Sequence, residues 1–250
     1  MGGINLFCFP FAGGSSTYYM RWKKYLHPGI DLKIIELSGR GDRISEPLYE
    51  EFEELIDDVY MKIRNQLLEK PYALFGHSMG SLITYELTRV IQQKDNNLPV
   101  HLFCSGRNSP NKKSITSMHN LPDEEFKNEV LLLGGTPKEV LACEELMEVF
   151  MPILKSDFKI VENYEYRFIN GHEKVRVPMT IFNGIQDQLI DIKELEEWRE
   201  FSTEQCSFHL FNDDHFFINK YAGDITKIIN STLIDEKILS SIKNNLGVIK

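Results

Sequence analysis

Nowhere in the 250 residues does an apolar run approach the roughly 20 needed to cross a bilayer. The start of the chain lacks the basic stretch and long apolar segment of a secretory signal, so the protein is expected in the cytoplasm with no membrane partner. Cysteine is scarce, and Cys8, Cys104, Cys143 and Cys206 show no C-x-x-C spacing. That argues for buried free thiols and against a disulfide framework or a metal site. Positive charge is short too: 28 Lys and Arg stand against 37 Asp and Glu, a net charge of −9. Nucleic acid, whose binding rests on phosphate neutralisation, is a poor partner for such a chain. Neither a G-x-x-x-x-G-K-[ST] loop nor a complete G-x-G-x-x-G occurs, so a nucleotide cradle is not expected. The rest is an ordinary globular composition, 42% hydrophobic and 26% charged, at a length that suits one α/β domain carrying an insertion.

The most informative stretch is Tyr72 to Ser81, an apolar run leading into Gly76-His77-Ser78-Met79-Gly80. Beyond it, Leu82 to Ile91 repeats apolar residues at helical spacing, which places Ser78 on a strand-to-helix turn. Such a turn strains the serine backbone and leaves no room for side chains two residues to either side, hence the glycines. The helix start aims free amides and the positive end of its dipole at the hydroxyl. By composition alone, a Gly-x-Ser-x-Gly would arise in a chain of this length roughly one time in ten. Its context and partners must therefore carry the case for a nucleophile.

In chain order, Ile4 to Phe9 reads as a buried strand running into the glycine-rich Pro10-Phe11-Ala12-Gly13-Gly14. A loop of this kind supplies one oxyanion amide in serine-elbow hydrolases, here Ala12 or its neighbour Phe11, and the residue after the nucleophile, Met79, supplies the other. Leu32 to Leu37 is a second strand, Glu51 to Leu68 an amphipathic helix and Leu98 to Ser105 a further strand holding a structural His101. This βα alternation implies a mostly parallel sheet with helices on both faces. From Arg107 to Glu173 helical patterns replace it, and the expectation is a helical lid, residues 107–173, inserted between core segments 1–106 and 174–250. Met147, Phe150, Met151, Ile153, Leu154 and Phe158 are candidates either to line an acyl channel or to pack that lid onto the sheet. Ile225 to Ile249 has helical spacing and reads as a last helix.

Val177 to Asn183 resumes the sheet and ends in a loop holding Asp187; a helix follows from Asp191, its N-cap, to Phe201. Cys206 to Phe211 is a strand whose terminal loop holds His215. Asp213 and Asp214 adjoin the histidine too closely in sequence to reach its Nδ1 and read as turn residues. Ser78, Asp187 and His215 thus each fall just past the carboxyl end of a strand, where open α/β sheets place their sites. The chain order Ser, Asp, His is that of the α/β-hydrolase fold.

With those residues in place, the chain resembles the type II thioesterases that serve nonribosomal peptide and polyketide synthetases. The likeness spans nearly all of it: Phe9 to Gly14, Gly39-Arg40-Gly41-x-Arg43, Phe75 to Gly80, Leu121 to Phe126, Leu133 to Pro137, Asn183-Gly184-x-x-Asp187 and Asp214 to Phe217. Ser38 stands where the family usually has proline, and Asn212-Asp213 replaces its glycines before the histidine. The resemblance implies a monomeric serine hydrolase with no cofactor, removing aberrant acyl groups from the phosphopantetheine arm of carrier proteins. Carrier domains are generally acidic, and Arg107, Lys112, Lys113 and Lys138 are the candidates for a basic rim. A carboxylesterase and a non-catalytic carrier-binding module remain the alternatives.

Overall fold

The computed structural model describes residues 3–95, 97–113, 117–136, 138–167 and 174–234. Six strands form one sheet: β1 (Ile4–Phe9), β2 (Ile30–Ile34), β3 (Tyr72–His77), β4 (His101–Ser105), β5 (Met179–Gly184) and β6 (Cys206–Phe211). Their order is β2-β1-β3-β4-β5-β6 and every neighbouring pair is parallel. The helices are α1 (Phe52–Leu67), α2 (Met79–Lys94), α3 (Asp123–Leu133), α4 (Lys138–Leu141), α5 (Glu144–Glu162) and α6 (Ala222–Ile234). Three stretches of 3₁₀ turns among the described residues, Ser16–Lys24, Gly41–Arg43 and Ile192–Phe201, complete it; the last is capped by Asp191, whose carboxylate accepts the Lys193 amide.

The strands read as near-continuous apolar runs because both faces of the sheet are covered. Successive side chains alternate between two cores. Phe7, Phe9, Leu74, Leu102 and Ile181 pack against α1, α2 and the 192–201 segment. Leu6, Cys8, Phe75, Phe103 and Phe182 pack the other way, against α6 and the Tyr19–Trp22 pair. Helices 123–162 hold a third, small core around Phe126, Val130 and Met147.

Several expected boundaries move. β5 begins at Met179, directly after Pro178, which has no N–H to give a ladder, and β4 begins at His101, though the Val100 amide already reaches Tyr72 O at 2.8 Å. β2 ends at Ile34: the Ile35 amide still reaches Cys8 O at 3.0 Å, after which the chain leaves the sheet. The Ile225 to Ile249 helix is observed as α6, ending at Ile234, and its remainder lies outside the described residues. No helix among the described residues is long and apolar enough to cross a membrane.

His101 is buried in β4 with Nε2 2.8 Å from Thr180 Oγ1, and burial pushes its pKa from 6.5 down to about 4. Between those values the unfolded chain binds the proton and the folded chain does not, so stability is lost as pH falls from about 6.5 toward 4. The full difference corresponds to about 3 kcal/mol. Melting temperature is therefore expected to drop over that range, and His101→Gln should flatten part of the drop in a pH series. An unchanged slope in the variant would assign the acid sensitivity elsewhere.

Candidate active site

Ser78 is the only non-glycine residue with positive φ among those described, at φ 55° and ψ −115°. Holding a serine there costs on the order of 1–3 kcal/mol, and the surroundings enforce it. A Cβ on Gly76 would lie 1.9 Å from Gly80 O, and one on Gly80 would lie 2.5 Å from Phe9 O, so only glycines let the turn close against β1. The end of β4 braces the same turn. Ser78 N–H donates to Ser105 O at 2.7 Å, and Ser81 Oγ donates to Ser105 O and accepts from the Ser105 amide, each at 2.7 Å.

Two further loops converge here from the carboxyl ends of β5 and β6. His215 Nδ1 lies 2.7 Å from Asp187 Oδ2, and both residues are buried. A carboxylate only accepts, so the imidazole donates from Nδ1, which leaves Nε2 as the basic nitrogen. Asp187 Oδ1 takes the Leu189 amide at 2.9 Å, so each carboxylate oxygen has its own donor. Asn212 and Asp213 tie the two loops together, as Asn212 Oδ1 accepts from Gln186 Nε2 at 3.0 Å and Asp213 O from the Gln186 amide at 2.9 Å. Ser38 has a similar use: its N–H donates to Tyr49 Oη at 3.1 Å, a bond that proline could not make.

Ser78, Met79, Ala12 and His215 meet in a cavity of about 80 Å³. Its far wall is apolar, built from Leu133, Phe158, Val161, Leu189 and Ile190. Neither the Met79 nor the Ala12 amide has a partner among the described residues, and both belong to lining residues. The Ser78 hydroxyl likewise makes no hydrogen bond among the described residues, in keeping with the looseness of such contacts before substrate arrives. Beneath His215 lies His77, ring centroids 4.9 Å apart, with Nδ1 2.9 Å from Ser105 Oγ. Burial, with His215 close by, holds His77 well below the usual histidine range. An uncharged ring there places no cation beside His215.

Against known proteins, residues 4–233 match the Thioesterase domain family. The chain belongs to that family. It is 37% identical over 216 residues to the gramicidin S biosynthesis protein GrsT of Aneurinibacillus migulanus, covering 86% of this chain and 83% of that one. Among solved structures it is similar to ClbQ from the colibactin NRPS/PKS pathway, with a TM-score of 0.89 and 33% identity over 95% of this chain and 99% of that one. It is also similar to the type II thioesterase BorB from the borrelidin biosynthetic cluster, with a TM-score of 0.83 and 30% identity over 92% and 93% of the two chains. The sheet is thus that of an α/β-hydrolase, and the enzyme is a thioester hydrolase.

In this thioesterase the expected basic rim is largely neutralised. Lys112 sits 3.0 Å from both Glu194 and Glu197, and Lys113 sits 3.0 Å from Glu165. The Lys138 side chain lies outside the described residues. Arg107 lines the cavity without an ion pair among the described residues, and burial pushes its pKa down to about 10, so it stays charged at neutral pH. Of the six apolar residues expected at a channel or a packing face, Phe158 lines the cavity, Met147 packs inside the helical segment, and Leu154 packs there and against the Gly13 loop of the core. The sequence reading missed the Ser81 and Ser105 brace. It also missed the placement of Gly135, where a Cβ would fall 2.1 Å from the Phe216 ring and so next to His215. The only sequence trace of that contact is the paired glycine after α3.

Proposed function

We propose that this thioesterase clears aberrant or misprimed acyl groups from the phosphopantetheine arm of carrier domains in a nonribosomal peptide or polyketide synthetase. Ser78 Oγ attacks the thioester carbonyl carbon as His215 Nε2 takes its proton, and Asp187 orients the imidazole and stabilises the imidazolium. The Met79 and Ala12 amides receive the developing oxyanion. Collapse breaks the C–S bond, the pantetheine thiolate leaves and recovers the proton, and a water activated by His215 then hydrolyses the acyl-serine. A thiolate is a good leaving group, so discrimination rests on access and acyl size more than on acid assistance.

The observation that carries this reading is the 2.7 Å His215–Asp187 contact, held in one cavity with a serine at a strained elbow. The apolar far wall of the cavity, Leu133, Phe158, Val161, Leu189 and Ile190, offers a surface for the acyl group. We read residues 107–173 as the lid over it, between core segments 1–106 and 174–250. The chemistry needs only side chains, backbone amides and water. GrsT, ClbQ and BorB, named for such biosynthetic pathways, support the carrier-domain substrate. The unpaired thiols of Cys8, Cys104, Cys143 and Cys206 suit a cytoplasmic site of action.

The test compares acetyl-carrier protein, acetyl-CoA and p-nitrophenyl acetate. The carrier-bound acetyl group is expected to show the highest kcat/KM by at least tenfold. Equal or faster turnover of the oxygen ester would replace this reading with a general esterase, and no turnover of any of the three with a binding module.

A further inference from the structure

The loop holding the Ala12 amide is gripped by a side chain 144 positions further along the chain. Asp157, on α5, is fully buried. Its Oδ2 accepts the Gly13 amide and Arg40 Nη1, each at 2.7 Å, and its Oδ1 accepts Arg40 Nη2 at 2.7 Å. Arg40, also buried, donates from Nη1 to Gly14 O at 3.2 Å. Carboxylate and guanidinium therefore bracket both glycines of the loop, one through an N–H and the other through a C=O.

The bracket fixes what the loop cannot fix for itself. Gly13, at φ 73°, and Gly14 are the most permissive residues available. Gly14 N–H donates to Phe11 O at 2.8 Å, which closes the turn and directs the Phe11 carbonyl into it. In a trans peptide the Ala12 N–H points the opposite way, out of the turn. Leu154 and Phe150, from the same helix, press on the other side: a Cβ on Gly13 would meet them at 2.4 and 3.4 Å. A buried ion pair is weak evidence for stability, since a well-packed apolar pair often serves as well. An apolar pair could not orient two peptide groups.

We propose that Asp157 is a positioning residue for the reaction: through Gly13 and Arg40 it makes α5 part of the oxyanion hole, so the Ala12 amide is aimed only while α5 sits on the core. The helix that supplies Phe158 and Val161 to the cavity wall thus also sets the electrophile's hydrogen-bond donor. This inference rests on the roles proposed for Ser78 and Ala12.

The test is Asp157→Asn, which preserves shape but puts an amide N–H₂ where Arg40 or the Gly13 amide needs an acceptor. On acetyl-CoA, kcat is expected to fall roughly 10²-fold, the scale of one lost oxyanion donor, with KM within about threefold. Affinity for an acetyl-like trifluoromethyl ketone, which forms a tetrahedral oxyanion on the serine, should fall in parallel with kcat/KM. Arg40→Lys keeps the charge but cannot span both carboxylate oxygens, and it should show a smaller loss of the same kind. Unchanged ketone affinity in either variant, with the melting transition intact, overturns the proposal, as does a loss confined to KM. Were Asp157→Asn not to fold, Arg40→Lys alone would decide. Full activity in Ser78→Ala would instead strike the catalytic assignment on which this rests.

Discussion

Ser78→Ala is expected to lower thioester hydrolysis by roughly 10⁵- to 10⁶-fold in kcat, the scale seen when a serine nucleophile is removed from an intact triad. The fold should survive, since alanine meets the same backbone strain at φ 55° and the braces from Ser81 and Ser105 do not involve the lost hydroxyl. Activity need not vanish: free amides at Met79 and Ala12 can still polarise a bound carbonyl for attack by water, leaving a residue of roughly 10³ to 10⁴ over the uncatalysed rate. Single-turnover hydrolysis of an acetyl-carrier protein checks this, alongside trapping of the acyl-enzyme by mass spectrometry. The wild type should show an acetyl adduct on the Ser78 peptide, and the variant none. A variant within tenfold of wild type would remove Ser78 as nucleophile.

Local and periodic features were legible before any coordinates. Short apolar runs marked the strands, though only the structure divides their residues between two cores, and α1 falls at Phe52–Leu67 where the amphipathic pattern placed it. Ser78, Asp187 and His215 could be read because each follows an apolar run at the edge where parallel sheets carry their sites. Contacts spanning great sequence distance leave no such trace. Asp157 is one of many charged residues until the fold sets it against Gly13, and Lys112 reads as free until Glu194 and Glu197 arrive beside it. The 3₁₀ turns at Ser16–Lys24 were equally silent: Tyr19 and Trp22 are buried there against Phe75 of the sheet, in the same core as α6.

Three carboxylates within reach of the His215 loop permit a sharper test, because their partners differ. Asp213 Oδ1 accepts the Asp214 amide at 3.0 Å, and Asp214 Oδ1 accepts the Phe216 amide at 2.9 Å; both shape the turn. Only Asp187 reaches the imidazole among the described residues. Asp187→Asn should therefore cost roughly 10⁴ in kcat at neutral pH, because the amide N–H₂ can face Nδ1 only when that nitrogen is an acceptor, the wrong tautomer for a base at Nε2. Asp213→Asn and Asp214→Asn keep an oxygen for their amide donors and should stay within about threefold. The deficit in Asp187→Asn should appear in the acylation rate itself, with acetyl-CoA binding little changed, since the carboxylate faces the imidazole and a backbone amide. A larger loss in Asp213→Asn or Asp214→Asn than in Asp187→Asn would transfer the orienting role to that residue and undo the assignment of the triad.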